Sequence, residues 1–579
     1  MKIMIAKNSG FCMGVRRAVE MVLDASAEHG SQICTYGPLI HNPQVLKLLE
    51  EKGIQVLNQT PETGEGVVLI RAHGVPPEVK KKLKDAGFEV VDATCPRVIK
   101  IQTIIRKYAK RGYTSIIIGD KNHPEIIGLL GQAEKKGNVI SSLEELEALP
   151  VFDKAIIVAQ TTQNTILFQA IKRQVNRDLP HYKVFDTICD STERRQAEVN
   201  RLANSVDTVV VVGGRSSGNT RRLVEIAEQT GKPTFHIETE ADLDSLDIGA
   251  LNPASRIGIT AGASTPNWIL KKVYKALEEL PFKRKHGWRS VLFAIQRSLL
   301  LTNIYLSLGA GLLCYACAQL QGIGDFVPYV LLSMLYVQSM HILNHLTGGK
   351  ADQYNEPERA LFYQKYKHLL NILAIVSGGS GLIIAATLGL WPFFILLAMS
   401  IMGLSYNLRL VPEKLTWIRK RRLKDIAGSK TLLIAMAWGV LMGILPPLST
   451  SGTITWSNTL IFIWSAGLVF VRTAFFDILD MQGDRLVGKE TIAILLGEKR
   501  SLRLLNVMVV GLIVTLLLSS AFHLISPLGF LLTLCPIFMG SILSVYKKRY
   551  LLPGIRLEFL VETLFVVAGL ITFFWASVN

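Results

Sequence analysis

Beyond about Arg297 the chain carries apolar stretches of roughly 18 to 22 residues that repeat to its end, each long enough to cross a bilayer. Nine are legible, at 298–320, 326–344, 369–390, 392–410, 431–447, 458–476, 502–523, 528–545 and 557–577. Charged residues, 19% of the 579, recur instead throughout the first half. The spacing predicts a soluble domain over residues 1–281, a basic linker over 282–297 and an all-α, nine-span transmembrane bundle over 298–579.

Lys and Arg crowd the approach to the first stretch (Lys283, Arg284, Lys285, Arg289, Arg297) and the loops after the even-numbered ones, while the loops after odd-numbered stretches have none. This bias predicts a multi-pass protein of the inner, cytoplasmic membrane with its N-terminal domain in the cytoplasm. It also accounts for part of the net charge of +17, so no nucleic-acid partner is needed. The run Arg419-Lys-Arg-Arg-Leu-Lys424 suits either topology and lipid headgroups or a phosphate. The chain opens on the strand-like Met1-Lys-Ile-Met-Ile-Ala6 without a secretory pattern, and its seven cysteines are too scattered for a disulfide framework.

Over residues 1–281 short β-branched runs alternate with amphipathic helical stretches, as in Thr208-Val-Val-Val-Val212 before Thr220–Glu228, which predicts α/β units with parallel sheets. Val91-Asp-Ala-Thr-Cys95 and Phe185-Asp-Thr-Ile-Cys189 echo one another, and Cys12 follows another strand. Three cysteines at such spacing suggest three pseudo-symmetric lobes around one centre. Three thiolates without a fourth, and without a close C-x2-C pair, fit a 4Fe-4S cluster with one open iron better than structural zinc. Cys34 reads as core, and Cys314 and Cys317 as packing inside an apolar stretch. Loop histidines His41, His73 and His123, with Thr161, Thr162, Ser216 to Thr220, Ser264 and Thr265, could surround an anion. Gly213-Gly-Arg-Ser-Ser-Gly-Asn-Thr220 lacks both a Walker ending and a dinucleotide fingerprint.

This half resembles the 4-hydroxy-3-methylbut-2-enyl diphosphate reductase (IspH or LytB) family. The resemblance rests on Gly10-Phe-Cys-Met-Gly-Val-Arg16, Arg71-Ala-His-Gly74, Asp92-Ala-Thr-Cys-Pro96, His123-Pro-Glu125, Asp186-Thr-Ile-Cys189 and Thr260-Ala-Gly-Ala-Ser264. It implies that Cys12, Cys95 and Cys189 hold the 4Fe-4S cluster and that His41, His73, His123, Ser217, Asn219 and Ser264 clasp the allylic diphosphate. It further implies that Glu125 relays protons with Thr161, and that electrons come from an external ferredoxin or flavodoxin.

In the membrane half, Phe476-Asp-Ile-Leu-Asp-Met-Gln-Gly-Asp484 spaces Asp477, Asp480 and Asp484 along one helical face, a pattern suited to magnesium and phosphate. Asn344-His-Leu-Thr-Gly-Gly-Lys-Ala-Asp352 shares its cytoplasmic side. Together they resemble the UbiA superfamily of intramembrane prenyltransferases, whose first motif carries a middle aspartate where this chain has Gly348, leaving Asn344 and Asp352, with Glu356 one turn on. The resemblance implies Mg2+, diphosphate contacts from Tyr406, Arg409, Lys414 and Lys424, and transfer of a prenyl group to a membrane lipid acceptor. Two other readings stay open: a noncatalytic anchor or lipid-binding module behind the same reductase, and a colourless zinc hydrolase joined to a transporter.

Overall fold

The structure is a computed structural model that describes residues 2–29, 33–245, 255–284, 288–347, 355–407, 428–486, 491–547 and 554–578. Two compact units divide the chain, residues 1–281 and 282–579.

The first unit holds strands β1 (Lys2–Ile5), β2 (Ile33–Tyr36), β3 (Gln55–Leu57), β4 (Val67–Ile70), β5 (Glu89–Asp92), β6 (Thr114–Ile118), β7 (Gly137–Ile140), β8 (Ala155–Ala159), β9 (Lys183–Val184), β10 (Thr208–Val212), β11 (Thr234–Ile237) and β12 (Arg256–Ala261). They pair in parallel into three four-stranded sheets, ordered β3-β2-β4-β5, β7-β6-β8-β9 and β11-β10-β12-β1. All three share one pattern: second strand, first, third, fourth. In the last sheet the opening strand of the chain serves as the fourth, so the lobe closes across the whole unit. β4, β8 and β10 are buried along their whole length, as the continuous apolar runs of a parallel sheet covered on both faces require.

Proline and polar caps start the intervening helices. Pro43–Glu51 begins at Asn42, whose side chain accepts the Val45 N–H, and Pro96–Ala109 and Pro124–Leu130 each place proline in the first turn, where a missing N–H costs nothing.

In the second unit, six helices among the described residues are long and apolar enough to cross a membrane: Lys367–Leu388, Ser429–Thr450, Trp456–Met481, Glu498–Ala521, Leu528–Lys547 and Ile555–Val578. The first expected stretch falls on a pair, Ser290–Leu301 and Ile304–Leu320, bent by 73°. The second falls on Val327–Thr347, whose Gln338, His341 and Asn344 lower its apolarity, and the fourth on the shorter Leu390–Ser405. Within Ser429–Thr450 a π-helical turn at Val440–Ile444 precedes Pro446 and Pro447, which cannot supply backbone donors to the regular ladder. Among the described residues ion pairs lie inside the bundle: Arg472 bonds Glu562, and Arg359 bonds both Glu356 and Glu558.

Candidate functional site

The shared strand order decides where chemistry gathers. In each sheet the order reverses between the first and third strands, which is where a doubly wound sheet opens a crevice beyond its strand ends. His41 and His73 follow β2 and β4, His123 and Thr161 follow β6 and β8, and Ser217 with Asn219 and Ser264 follow β10 and β12. Every polar residue singled out in this half thus stands at a reversal point. The cysteines behave differently: Cys12, Cys95 and Cys189 follow β1, β5 and β9, the edge strand that plays the fourth role in each sheet.

Each cysteine also stands at a helix start. Cys95 and Cys189 cap Pro96–Ala109 and Asp190–Ser205, while the Cys12 carbonyl accepts the Arg16 N–H at the head of Met13–His29. The Val15 N–H approaches the Cys12 sulfur at 3.4 Å. Backbone bonds fix the three turns, from Cys12 to Ala263 O (3.1 Å), Cys95 to Ala72 O (2.9 Å) and Cys189 to Thr161 O (3.0 Å). Asp92 explains part of the echoed sequence, since its carboxylate accepts the Thr94 N–H at 3.0 Å and so turns the chain toward Cys95. Burial pushes the Cys95 thiol up; the Arg97 and Val98 N–H groups favour its thiolate, while neighbouring Cys12 and Cys189 oppose it. The three sulfurs therefore share one neighbourhood. Cys34 lies in β2 beside Val68, Leu83 and Phe88. A set of three soft donors with no fourth cysteine beside it among the described residues suits an iron-sulfur centre with one iron left to another ligand.

Gly14 makes this convergence possible. A Cβ there would lie 2.5 Å from the Cys95 sulfur, inside van der Waals contact. Gly14→Ala is expected to cut iron loading by about half or more, because the displaced thiol no longer meets its partners; unchanged iron content by chemical assay would refute this reading.

The ligating nitrogens of His41, His73 and His123 lie within 4.8 Å of one another. Burial holds all three below the ordinary histidine range, His123 at about 4 and His73 well below its usual value, with Arg71 adding to the effect at each and neighbouring imidazoles at His73 and His123. The rings are neutral at pH 7, and His123 Nδ1 accepts the Glu125 N–H at 3.1 Å, which leaves its Nε2 as the donor. His41 Nε2, His73 Nδ1, Arg71 Nε and Asn219 Nδ2 are buried without a protein partner. Buried polar groups of this kind are costly unless a ligand satisfies them, and three neutral imidazoles beside a guanidinium suit an anion. Ser264 Oγ, 3.3 Å from Ser217 Oγ and donating to His41 O at 3.1 Å, joins the first and third lobes at this point.

Glu125 is 2% exposed. One oxygen accepts the Thr161 N–H and the other the Thr161 hydroxyl, both at 2.7 Å. Burial pushes its carboxyl up to about 7 against those two bonds, so near neutrality it holds a proton it can release.

Sequence reasoning assigned no part to Arg195. Its guanidinium is buried and donates to Ala261 O (3.0 Å) and Gly10 O (2.6 Å), tying the helix after Cys189 to the Cys12 loop. An arginine six residues along an amphipathic helix carries no sequence signal for such a span.

In the membrane unit, Asp477, Asp480 and Asp484 lie on the last turns of Trp456–Leu486. Thr431 Oγ1 donates to Asp477 at 2.5 Å, and buried Asn355 donates to Asp484 at 2.8 Å across a contact that Gly483 leaves open. Asn344 and Lys430 line a mainly apolar pocket with Tyr336, His341, Met399 and Trp438. Glu356 is engaged by Arg359. Gly348, Asp352, Arg409, Lys414, Lys424 and the Tyr406 side chain lie outside the described residues.

Fold and site together define a three-lobed α/β protein with a histidine cluster and three cysteines at helix starts, joined to a helical membrane unit. Residues 3–278 match the model of the LytB protein family and residues 303–561 that of the UbiA prenyltransferase family. The first half is 44% identical over 285 residues to 4-hydroxy-3-methylbut-2-enyl diphosphate reductase of Clostridioides difficile, spanning 48% of this chain and 100% of that one. Among solved structures, the E-1-hydroxy-2-methyl-but-2-enyl-4-diphosphate reductase from Plasmodium falciparum is similar at 28% identity and a TM-score of 0.45, covering 48% of this chain and 87% of its own. A UbiA homolog from Archaeoglobus fulgidus, solved bound to GPP and Mg2+, is similar at 18% identity and a TM-score of 0.35 over 47% of this chain and 98% of its own. The chain belongs to the LytB family, with a UbiA prenyltransferase family domain behind it.

Proposed function

We propose that the first unit reduces 4-hydroxy-3-methylbut-2-enyl diphosphate to isopentenyl and dimethylallyl diphosphate. The observation that carries this reading is the gathering of the histidines, Glu125 and Thr161, and Ser217, Asn219 and Ser264 at the three sheet-reversal points, with Cys12, Cys95 and Cys189 at the helix starts that follow the edge strands. The identity of 44% to a reductase of that name supports the same substrate. Cys12, Cys95 and Cys189 would hold a 4Fe-4S cluster, which when bound supplies two electrons one at a time. His41, His73 and His123 donate neutral N–H groups to the diphosphate, joined by Ser217, Asn219 and Ser264. Glu125, its carboxylate clasped by Thr161, delivers the proton that lets the hydroxyl oxygen leave as water. Two protons and two electrons are consumed for each C–O bond broken. A ferredoxin or flavodoxin is the external donor.

The second unit, in this reading, is a nine-span UbiA-type bundle in the cytoplasmic membrane that transfers a prenyl group to a lipid-phase acceptor. Asp477, Asp480, Asp484, Asn344 and Asp352 hold Mg2+ and diphosphate, with Tyr406, Arg409, Lys414 and Lys424 as further contacts. The carboxylates of Asp477 and Asp484, each oriented by a neighbour's side chain, support it.

The deciding measurement on the first unit is anaerobic iron and sulfide content with turnover of the hydroxylated diphosphate under a chemical reductant. About four irons with turnover is the expected result; a colourless, inactive protein that reconstitution cannot rescue would end the proposal. For the second unit, purified protein is incubated with magnesium, labelled prenyl diphosphate and membrane extract. Absence of labelled lipid and of pyrophosphate would favour the noncatalytic anchor that Gly348 suggests.

A further inference from the structure

The three helices that begin at the cysteines repeat a surface pattern. One residue past each cysteine stand Met13, Pro96 and Asp190; four past stand Arg16, Ile99 and Glu193; five past stand Arg17, Lys100 and Arg194. Eight of these nine are exposed and Arg17 is half-buried. Positions one, four and five share a helical face, so each helix turns the same face to solvent beside its cysteine. Contacts between the helix starts hold these faces together: Arg97 pairs with Asp190 at 2.6 Å and Arg17 donates to Thr94 O at 3.1 Å. The cysteines are themselves only partly covered.

The composition of this surface is uneven. Arg16, Arg17, Arg97, Lys100 and Arg194 place five cations against the two carboxylates of Asp190 and Glu193. The same helix faces carry two apolar side chains, Met13 at 69% and Ile99 at 40% exposed. The elements that build it differ from the central-strand loops carrying the histidines, so substrate and a second macromolecule need not compete for the same residues.

We propose that this face docks an acidic, one-electron carrier protein and is the route by which electrons reach the cysteine centre, an inference that rests on the reductase reading. A net-basic face with a few exposed apolar side chains steers an acidic partner and releases it quickly, as a carrier that visits twice per turnover requires. Small, transient interfaces are the rule for electron-transfer encounters.

The test uses full-length, cluster-loaded protein carrying Arg16→Glu, Lys100→Glu and Arg194→Glu together. With reduced ferredoxin as donor at low salt, kcat/KM is expected to fall by about tenfold or more, and the decline of the wild-type rate with added salt to disappear. With reduced methyl viologen, turnover stays within about threefold of wild type. Ferredoxin kinetics equal to wild type at every salt concentration overturn the proposal. If the triple variant loses iron, the milder Arg16→Gln, Lys100→Gln, Arg194→Gln protein is measured in its place against the same criteria. A wild-type protein inactive with methyl viologen as well sinks the reductase reading, and the docking face falls with it.

Discussion

Glu125→Gln is expected to lower turnover of the hydroxylated diphosphate by about 10²- to 10⁴-fold, the range for removing a positioned general acid or base. Glutamine keeps the shape and one acceptor oxygen, so Thr161 retains one of its two bonds and Pro124–Leu130 keeps its cap on His123. Iron content and visible spectrum should therefore be unchanged, because Glu125 follows β6 whereas the cysteines follow β1, β5 and β9. The pH profile supplies a second check. Burial places the carboxyl at about 7, so the proton-donating form is full below that pH and its contribution to kcat/KM declines above it. Stability moves in a related way. The folded value lies above the ordinary 4.5, so the protonated carboxyl's advantage is fully present below about 4.5 and lost as pH rises through about 7. Denaturant titrations of wild type should show that decline and those of Glu125→Gln should not. Undiminished turnover of the variant would remove Glu125 from the chemistry.

Cys95→Ser is expected to abolish turnover and to leave less than about one iron per chain, against about four in the wild type. A hydroxyl is a hard, weakly acidic donor and does not replace a thiolate on iron. The fold should survive, since the backbone of residue 95 keeps its bond to Ala72 O and Pro96 still starts its helix. Circular dichroism separates loss of metal from loss of structure. Cys34→Ser is the control: it sits within β2 against Phe88, away from the helix starts, and should retain both iron and activity. A Cys95→Ser protein with full iron and turnover would mean that the three sulfurs do not act together.

Much of the first unit was legible because its signals are local. The β-branched runs Thr208–Val212 and Val67–Ile70 are strands as their composition requires, and the Asp-x-x-Cys echo marked two of the three cysteine turns. Arg195 was not legible, because its two carbonyl partners come from Gly10 and Ala261, far away along the chain. In the membrane unit, hydropathy located the apolar stretches but could not foresee the 73° bend at Asn303 or the π-helical turn before Pro446. The helical spacing of the aspartate series agrees with its place on the long helix Trp456–Leu486.

The sequence by itself determined which residues are the candidates for chemistry and which half is apolar, since residue type and spacing are properties of the chain alone. Only the tertiary structure decided that the candidate polar residues and the cysteines leave different strands of the same sheets, and that β1, the opening strand, completes the lobe of β10, β11 and β12. Parallel pairing joins segments distant in sequence, so strand order and the crevice it opens arise from packing whole α/β units against one another. The raised carboxyl of Glu125 has the same origin: no sequence motif contains the burial that shifts it.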